Sequence, residues 1–175
     1  MLYRNFKDKK LSLLSMGTMR LPTENGRINE EETALMIDEA LKSGVNYFDT
    51  AWGYHGGESE AVVGKILNRY PRDSFYIATK FPGYDLNNMG KVEEIFEKQL
   101  EKTGMEYFDF YLVHNVCELN IDEYLNPAHK TKEYLIKQKE NGRIKHLGFS
   151  VHGTTRTMLR FLEEYGEYME FCQIQ

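Results

Sequence analysis

The stretch "VNYFDTAWGYHGGESEAVVGKIL", residues 45–67, decides how the rest of the chain is read. Val45-Asn46-Tyr47-Phe48 is a short apolar run that reads as a strand, and Gly53, Gly56 and Gly57 then mark a loop. Apolar residues at helical spacing follow in "SEAVVGKILNRY". Strand, loop and helix in so few residues are the opening of a parallel crossover. Asp49 therefore stands where strand becomes loop, and Tyr54 sits among glycines and polar residues with nothing apolar beside it.

The same pattern extends in both directions. Upstream, Leu2–Phe6 and Leu11–Ser15 flank a charged turn at Lys7–Lys10, which predicts a hairpin leading into a strand that ends at Met16-Gly17. In "NEEETALMIDEALKSG", Asn29 can cap a helix, three glutamates favour its positive end, Leu35, Met36, Ile37 and Leu41 supply an apolar stripe, and Gly44 ends it. Downstream, "SFYIATK", "EYFDFYLVH", "RIKHLGFS" and "EFCQIQ" read as strands. They alternate with helices in "KVEEIFEKQLEKTG", "TKEYLIKQKENG" and "TTRTMLRFLEEYG". Leu35, Leu41, Val62, Ile66, Ile95 and Leu100 are assigned to the core-facing stripes.

Successive strands end near Asp49, Lys80, His114 and Ser150, steps of 80−49=31, 114−80=34 and 150−114=36 residues. A steady period favours α/β architecture of the (β/α)8 TIM-barrel type over a sheet that reverses midway, and the dinucleotide fingerprint GxGxxG of the open alternative is absent. A complete barrel takes about 250 residues. With 175, the chain is expected to form one domain, residues 1–175, an incomplete barrel of about six strands.

Composition narrows the function. The chain is 41% hydrophobic and 28% charged, with a formal net charge of -5, which argues against a general nucleic-acid binder. The N-terminus "MLYRNFKDKK" lacks the apolar core of a signal peptide, and no run approaches a membrane span, so a cytoplasmic protein is expected. Cys117 and Cys172 show no CxxC spacing; both read as reduced, partly buried thiols, with no metal or iron-sulfur cluster in this chain.

In such barrels chemistry sits on the loops at the C-terminal strand ends. Neighbouring strands lie about 4.8 Å apart, which puts Asp49 and Lys80 within side-chain reach, with His114 one strand further and Tyr54 able to fold over the same mouth. A phenol of pKa about 10 gives up its proton reluctantly, but a nearby ammonium lowers it by roughly 1 to 3 units. Lys80 supplies that ammonium, Asp49 keeps it charged and aimed, and His114 orients a carbonyl oxygen. The set is a proton donor tuned for a carbonyl.

Asp49, Tyr54, Lys80 and His114 in this order, carried by "YFDTAWGYHGGESEAVVGKIL", "IATK" and "DFYLVH", resemble the signature of the aldo-keto reductases. "MGTMRLP", "YFDFYLVHN" and "IKHLGFSVHG" are most similar to the bacterial branch that often carries a C-terminal iron-sulfur domain. The resemblance implies that Tyr54 protonates a carbonyl oxygen while NADPH or NADH delivers hydride to the carbonyl carbon of a small-molecule aldehyde or ketone. It implies cofactor contacts at Gly17 and Thr18 near the nicotinamide, and at Ser150 and Gln173 on its carboxamide. Val151-His152 follows Ser150 where many members have Asn, so the chain departs from the family pattern at one such contact. Trp52 and Tyr84 are candidates for the substrate wall.

Plainer readings stand beside these. Asp49 and Lys80 also fit an ordinary ion pair, Tyr54 a loop aromatic packed over the rim, Ser150 a helix cap and Gln173 an inward polar residue. His55, His129, His146 and His152 receive no functional role. The resemblance matches only the first part of the family's barrel and so implies a truncated form, weakly active or inactive alone, with open strand edges available for self-association. A non-catalytic binding or regulatory module, and a lyase forming a Schiff base on Lys80, remain the alternatives.

Overall fold

The computed structural model describes residues 1–174. The chain divides into two compact units, Met1–Thr79 with Lys102–Met105, and Lys80–Glu101 with Glu106 onward. No helix among the described residues is long and apolar enough to cross a membrane.

In the first unit, β1 (Tyr3–Phe6) and β2 (Lys9–Ser12) form the expected antiparallel hairpin, with Tyr3 opposite Ser12. A second hairpin, β4 (Thr23–Glu24) and β5 (Arg27–Ile28), follows the short strand β3 (Met16–Gly17) and was not anticipated. Its turn is Asn25-Gly26, with φ of 51° and 80°, the left-handed pair that a two-residue hairpin loop requires. Helix α1 (Glu30–Lys42) begins as predicted, with Asn29 accepting from Glu32 N at 3.0 Å, and Gly44 beyond its end has φ 87°.

The apolar stripe of α1 needs correction. Leu35 is 64% exposed and Met36 is also exposed, whereas the buried residues are Thr33 and Ile37. At 100° per residue, Leu35 lies about 200° round the helix from Thr33, so the buried face takes the four-apart set and leaves Leu35 outside. Leu41 is half-buried. In α2 (Ser59–Leu67), Val62 and Ile66 are buried as expected. Strands β3, β6 (Tyr47–Asp49) and the start of β7 (Tyr76–Phe81) lie parallel in that order, Gly17 opposite Asp49 and Asp49 opposite Ala78.

The second unit carries most of α3 (Val92–Thr103), with Ile95 and Leu100 buried, then β8 (Phe108–Val116), β9 (Ile144–Val151) and β10 (Phe171–Ile174). These three strands are parallel in that order, and Gln173 stands opposite Ser150. Between them run α4 (Ile121–Leu125), which the sequence reading omitted, α5 (Thr131–Glu140) and α6 (Thr155–Tyr165). Almost every residue of β8 is buried, as a parallel strand covered on both faces must be. Phe96 meets Phe108 and Tyr111 edge-on, and Phe149, Phe161 and Tyr165 form a second aromatic cluster of one tilted and one stacked pair. Both cysteines are free, but Cys172 is exposed rather than partly buried, because β10 alternates half-buried and exposed positions. The last residue of the predicted strand "EFCQIQ", Gln175, lies outside the described residues.

Parallel strands that follow chain order with a helix after each are the winding of a (β/α) barrel. The fold is an incomplete (β/α)8 barrel of six parallel strands, preceded by an N-terminal hairpin.

Candidate active site

In the first unit, Asp49 is the last residue of β6 and half-buried. Its carbonyl oxygen accepts from Thr18 N and Thr18 Oγ1, both at 2.9 Å. Thr18 Oγ1 also meets Ser59 Oγ at 2.9 Å, and Thr50 Oγ1 meets the same Ser59 hydroxyl at 3.0 Å. Thr18, Thr50 and Ser59 are fully buried, so one knot of hydroxyls locks the ends of β3 and β6 to the first turn of α2. The Thr18 hydroxyl is engaged in that knot. Gly17 beside it is exposed, and a Cβ built there meets nothing within 4 Å. The open side of this strand end belongs to Gly17.

Tyr54, half-buried, closes a turn by donating its backbone N–H to Ala51 O at 3.2 Å and opens the 3-10 turn Tyr54–Gly57. The next residue, His55, is left-handed at φ 52° and ψ 44°. Its Nε2 accepts from Leu21 N at 2.9 Å, which offsets that uncommon conformation and requires a neutral tautomer protonated on Nδ1. His55 therefore shapes the loop that carries Tyr54.

In the second unit, Lys80 is 1% exposed. Gln99 fixes its backbone, donating Nε2–H to Lys80 O at 3.0 Å, while Gln99 Oε1 accepts from the Tyr111 hydroxyl at 2.6 Å. His114 is buried near the end of β8, with the ring of Tyr84 edge-on at 5.1 Å between centroids. Burial, then the charges of Lys80 and His152, lower the His114 pKa to about 3, so its imidazole is neutral at physiological pH. A neutral imidazole near an ammonium is a hydrogen-bond donor that does not compete for the proton. Lys80 and His114 thus interact within this unit, whereas Asp49 and Tyr54 belong to the first.

Tyr124, which the sequence reading did not single out, is fully buried in α4 and donates to His114 O at 2.7 Å, with Phe81 O 3.4 Å from the same hydroxyl. Gly83 is required by this packing, since a Cβ there would lie 2.4 Å from the Tyr124 hydroxyl. The spacing of Ile121 and Tyr124 was the available sign of a short buried helix face. Asn115 follows His114 in the left-handed region at φ 58°, and its N–H donates to Ser150 Oγ at 2.7 Å. Ser150 is therefore no cap for the next helix; Glu118 does that work, accepting from Thr154 N at 2.8 Å and from the Thr154 and Thr157 hydroxyls at 2.7 Å. Gln173 is half-buried beside Ser150 on the adjacent strand. Of the proposed wall residues, Tyr84 is exposed and Trp52 half-buried. Among the described residues no group of three or more His, Cys, Asp or Glu side chains could hold a metal ion.

Comparison with known proteins agrees with this arrangement of elements. A profile of the aldo/keto reductase family matches residues 13–175. The NADH-specific methylglyoxal reductase of Escherichia coli K12 is 27% identical over 188 residues, covering 96% of this chain and 55% of that protein. The holo form of an aldo-keto reductase from Bacillus halodurans superposes with a TM-score of 0.80 at 25% identity, covering 100% of this chain and 57% of that one. An aldo-keto reductase from Klebsiella pneumoniae in complex with NADPH shares the fold, with a TM-score of 0.76 at 22% identity over 99% of this chain and 58% of its own. The chain spans about half the length of the curated relatives it matches.

Proposed function

Because the chain belongs to the aldo/keto reductase family, we propose that it reduces an aldehyde or ketone with Tyr54 as proton donor to the carbonyl oxygen. The observation that carries this reading is the burial of both Lys80 and His114 near the C-terminal ends of their strands, where burial and then the Lys80 charge lower the His114 pKa. A neutral His114 donates a hydrogen bond to the substrate oxygen and leaves the proton transfer to a phenol. In this reading Lys80 and Asp49 take the supporting roles, the ammonium as the source of positive charge and the carboxylate as its partner. A bound nicotinamide dinucleotide supplies the hydride. Gly17, with open space beside it, and Thr18 would hold the nicotinamide end of that cofactor. Ser150, whose oxygen accepts from Asn115 N and retains a hydroxyl proton to give, and Gln173 on the neighbouring strand would hold its carboxamide. One relative is named for NADH and one neighbour is seen with NADPH, so both are assayed. The reading places the protein in the cytoplasm, acting on a small-molecule carbonyl compound.

The test is titration of NADPH and NADH against the protein, followed by cofactor consumption with a simple aldehyde. Saturable binding and aldehyde-dependent oxidation support the reading. Borohydride trapping of a carbonyl compound on Lys80 would replace it with Schiff-base chemistry, and the absence of cofactor binding would leave a non-catalytic module.

A further inference from the structure

The loop that carries Tyr54 is tied to a residue far along the chain. Glu60 in α2 is fully buried, and its carboxylate accepts from Thr79 Oγ1 at 2.6 Å and from Lys102 Nζ at 2.7 Å. A buried carboxylate demands a cation, and Lys102, in the last turn of α3, supplies it. The same ammonium lies 4.6 Å from the centroid of the Trp52 ring, inside the range of a cation–π contact. Trp52 is the second residue of the turn closed by Tyr54 N and Ala51 O, and Tyr54 is the last. Two residues of chain span about 7 Å at most, so a fixed Trp52 ring restricts where Tyr54 can stand.

We propose that Lys102 is a positioning residue for the Trp52–Tyr54 turn, its ammonium anchored by Glu60 on one side and seating the Trp52 ring on the other. The inference rests on the reading of Tyr54 as proton donor only for its effect on turnover; the contact itself stands apart from it. Glu60 also bonds Thr79, the residue before Lys80, so the same buried carboxylate steadies both the turn and the strand leading to Lys80.

Trp52 is the only tryptophan in the chain, so intrinsic fluorescence reads this contact directly. Because Lys102→Met alone would strand the Glu60 charge and could unfold the protein, the double variant Glu60→Gln/Lys102→Met is measured beside it, with Lys102→Arg as the conservative replacement. In the double variant, Trp52 emission should shift and acrylamide quenching rise, and amide exchange across residues 51–58 should speed up about tenfold while the rest of the unit keeps its protection. Turnover should fall about tenfold in kcat with the aldehyde KM nearly unchanged, as for loss of an interaction that orients the donor. Lys102→Arg should restore all three, since guanidinium also binds carboxylate and ring. Unchanged fluorescence or unchanged exchange over residues 51–58 in the double variant overturns the proposal, as does failure of Lys102→Arg to restore them. Fluorescence and exchange decide the role of Lys102 whether or not this partial barrel turns over an aldehyde, and the reading of Tyr54 is decided separately by its own phenylalanine variant.

Discussion

The hydroxyl of Tyr124 donates a hydrogen bond of 2.7 Å to the carbonyl oxygen of His114. One phenol in a five-residue helix thereby holds the backbone at the strand end that carries the buried imidazole, and burial pushes its own pKa well above the ordinary range, so it stays a donor. Tyr124→Phe leaves the His114 carbonyl without this donor in a dry environment. The expected cost is about 1–3 kcal/mol, measured by urea denaturation. Wild-type stability in that variant would mean the bond is replaced at no cost.

The acid limb of stability should have two distinguishable parts. The His114 pKa is lowered in the folded state from 6.5 to about 3, so the unfolded chain binds the proton more readily between those values. The resulting stability is complete above the unfolded pKa and is lost as pH falls towards the folded one. Glu118 is held at about 2 by the hydroxyl of Thr157 and the amide and hydroxyl of Thr154, so its contribution is present above the usual carboxylate value and is lost progressively as pH falls from there towards about 2. Denaturation midpoints followed from pH 7 down to 2 should drop in both windows, and Glu118→Gln should flatten the lower one alone. A midpoint that stays level from pH 6.5 to 4 would contradict the buried, neutral state of His114.

Two glycines should respond oppositely to a methyl group. Gly83→Ala places a Cβ 2.4 Å from a Tyr124 hydroxyl that is fully enclosed, and should destabilise by roughly 1–3 kcal/mol. Gly17→Ala meets nothing within 4 Å, so the melting temperature should hold while NADPH affinity falls if the nicotinamide lies there. Thermal melts and a cofactor titration on both variants separate the two effects.

Much of this architecture is legible in the sequence because strand and helix periods alternate steadily and Asn29, Gly44 and Gly104 punctuate them. Asp49, Lys80 and His114 are legible for a related reason: each follows an apolar run at the point where a parallel strand ends. The Asn25-Gly26 hairpin was equally visible, since that dipeptide is a turn signal, but the flanking strands of two residues each carry no alternation to confirm it. The exposure of Leu35 was hidden because an apolar cluster of Leu35, Met36 and Ile37 fits more than one helix face, and only tertiary packing selects Thr33 and Ile37. The supports of the site were out of reach. Tyr124 acts on a carbonyl ten residues away, Gln99 on one nineteen away and Lys102 on a carboxylate forty-two away, and no local pattern encodes such separations.

Lys80 contributes to the low pKa of His114 after burial, the larger cause. Lys80→Met should therefore raise the His114 pKa while leaving it below the ordinary value, and NMR titration of the imidazole reads this without any assay of activity. In the reductase reading the same substitution should make turnover fall steeply, and the pH optimum of any residual rate should move upward with the His114 pKa. A falling rate with an unmoved optimum would assign Lys80 a role through position instead of charge.

In the reductase reading Tyr54 delivers the proton to a carbonyl oxygen. Tyr54→Phe removes one oxygen atom and keeps the ring, so it should leave NADPH affinity within about twofold and reduce aldehyde turnover by on the order of 10²-fold or more, as loss of a general acid does. The decisive measurement is the rate of NADPH consumption with a simple aldehyde in wild type and Tyr54→Phe under saturating cofactor. Turnover near the wild-type rate in the phenylalanine variant would rule out Tyr54 as the proton donor.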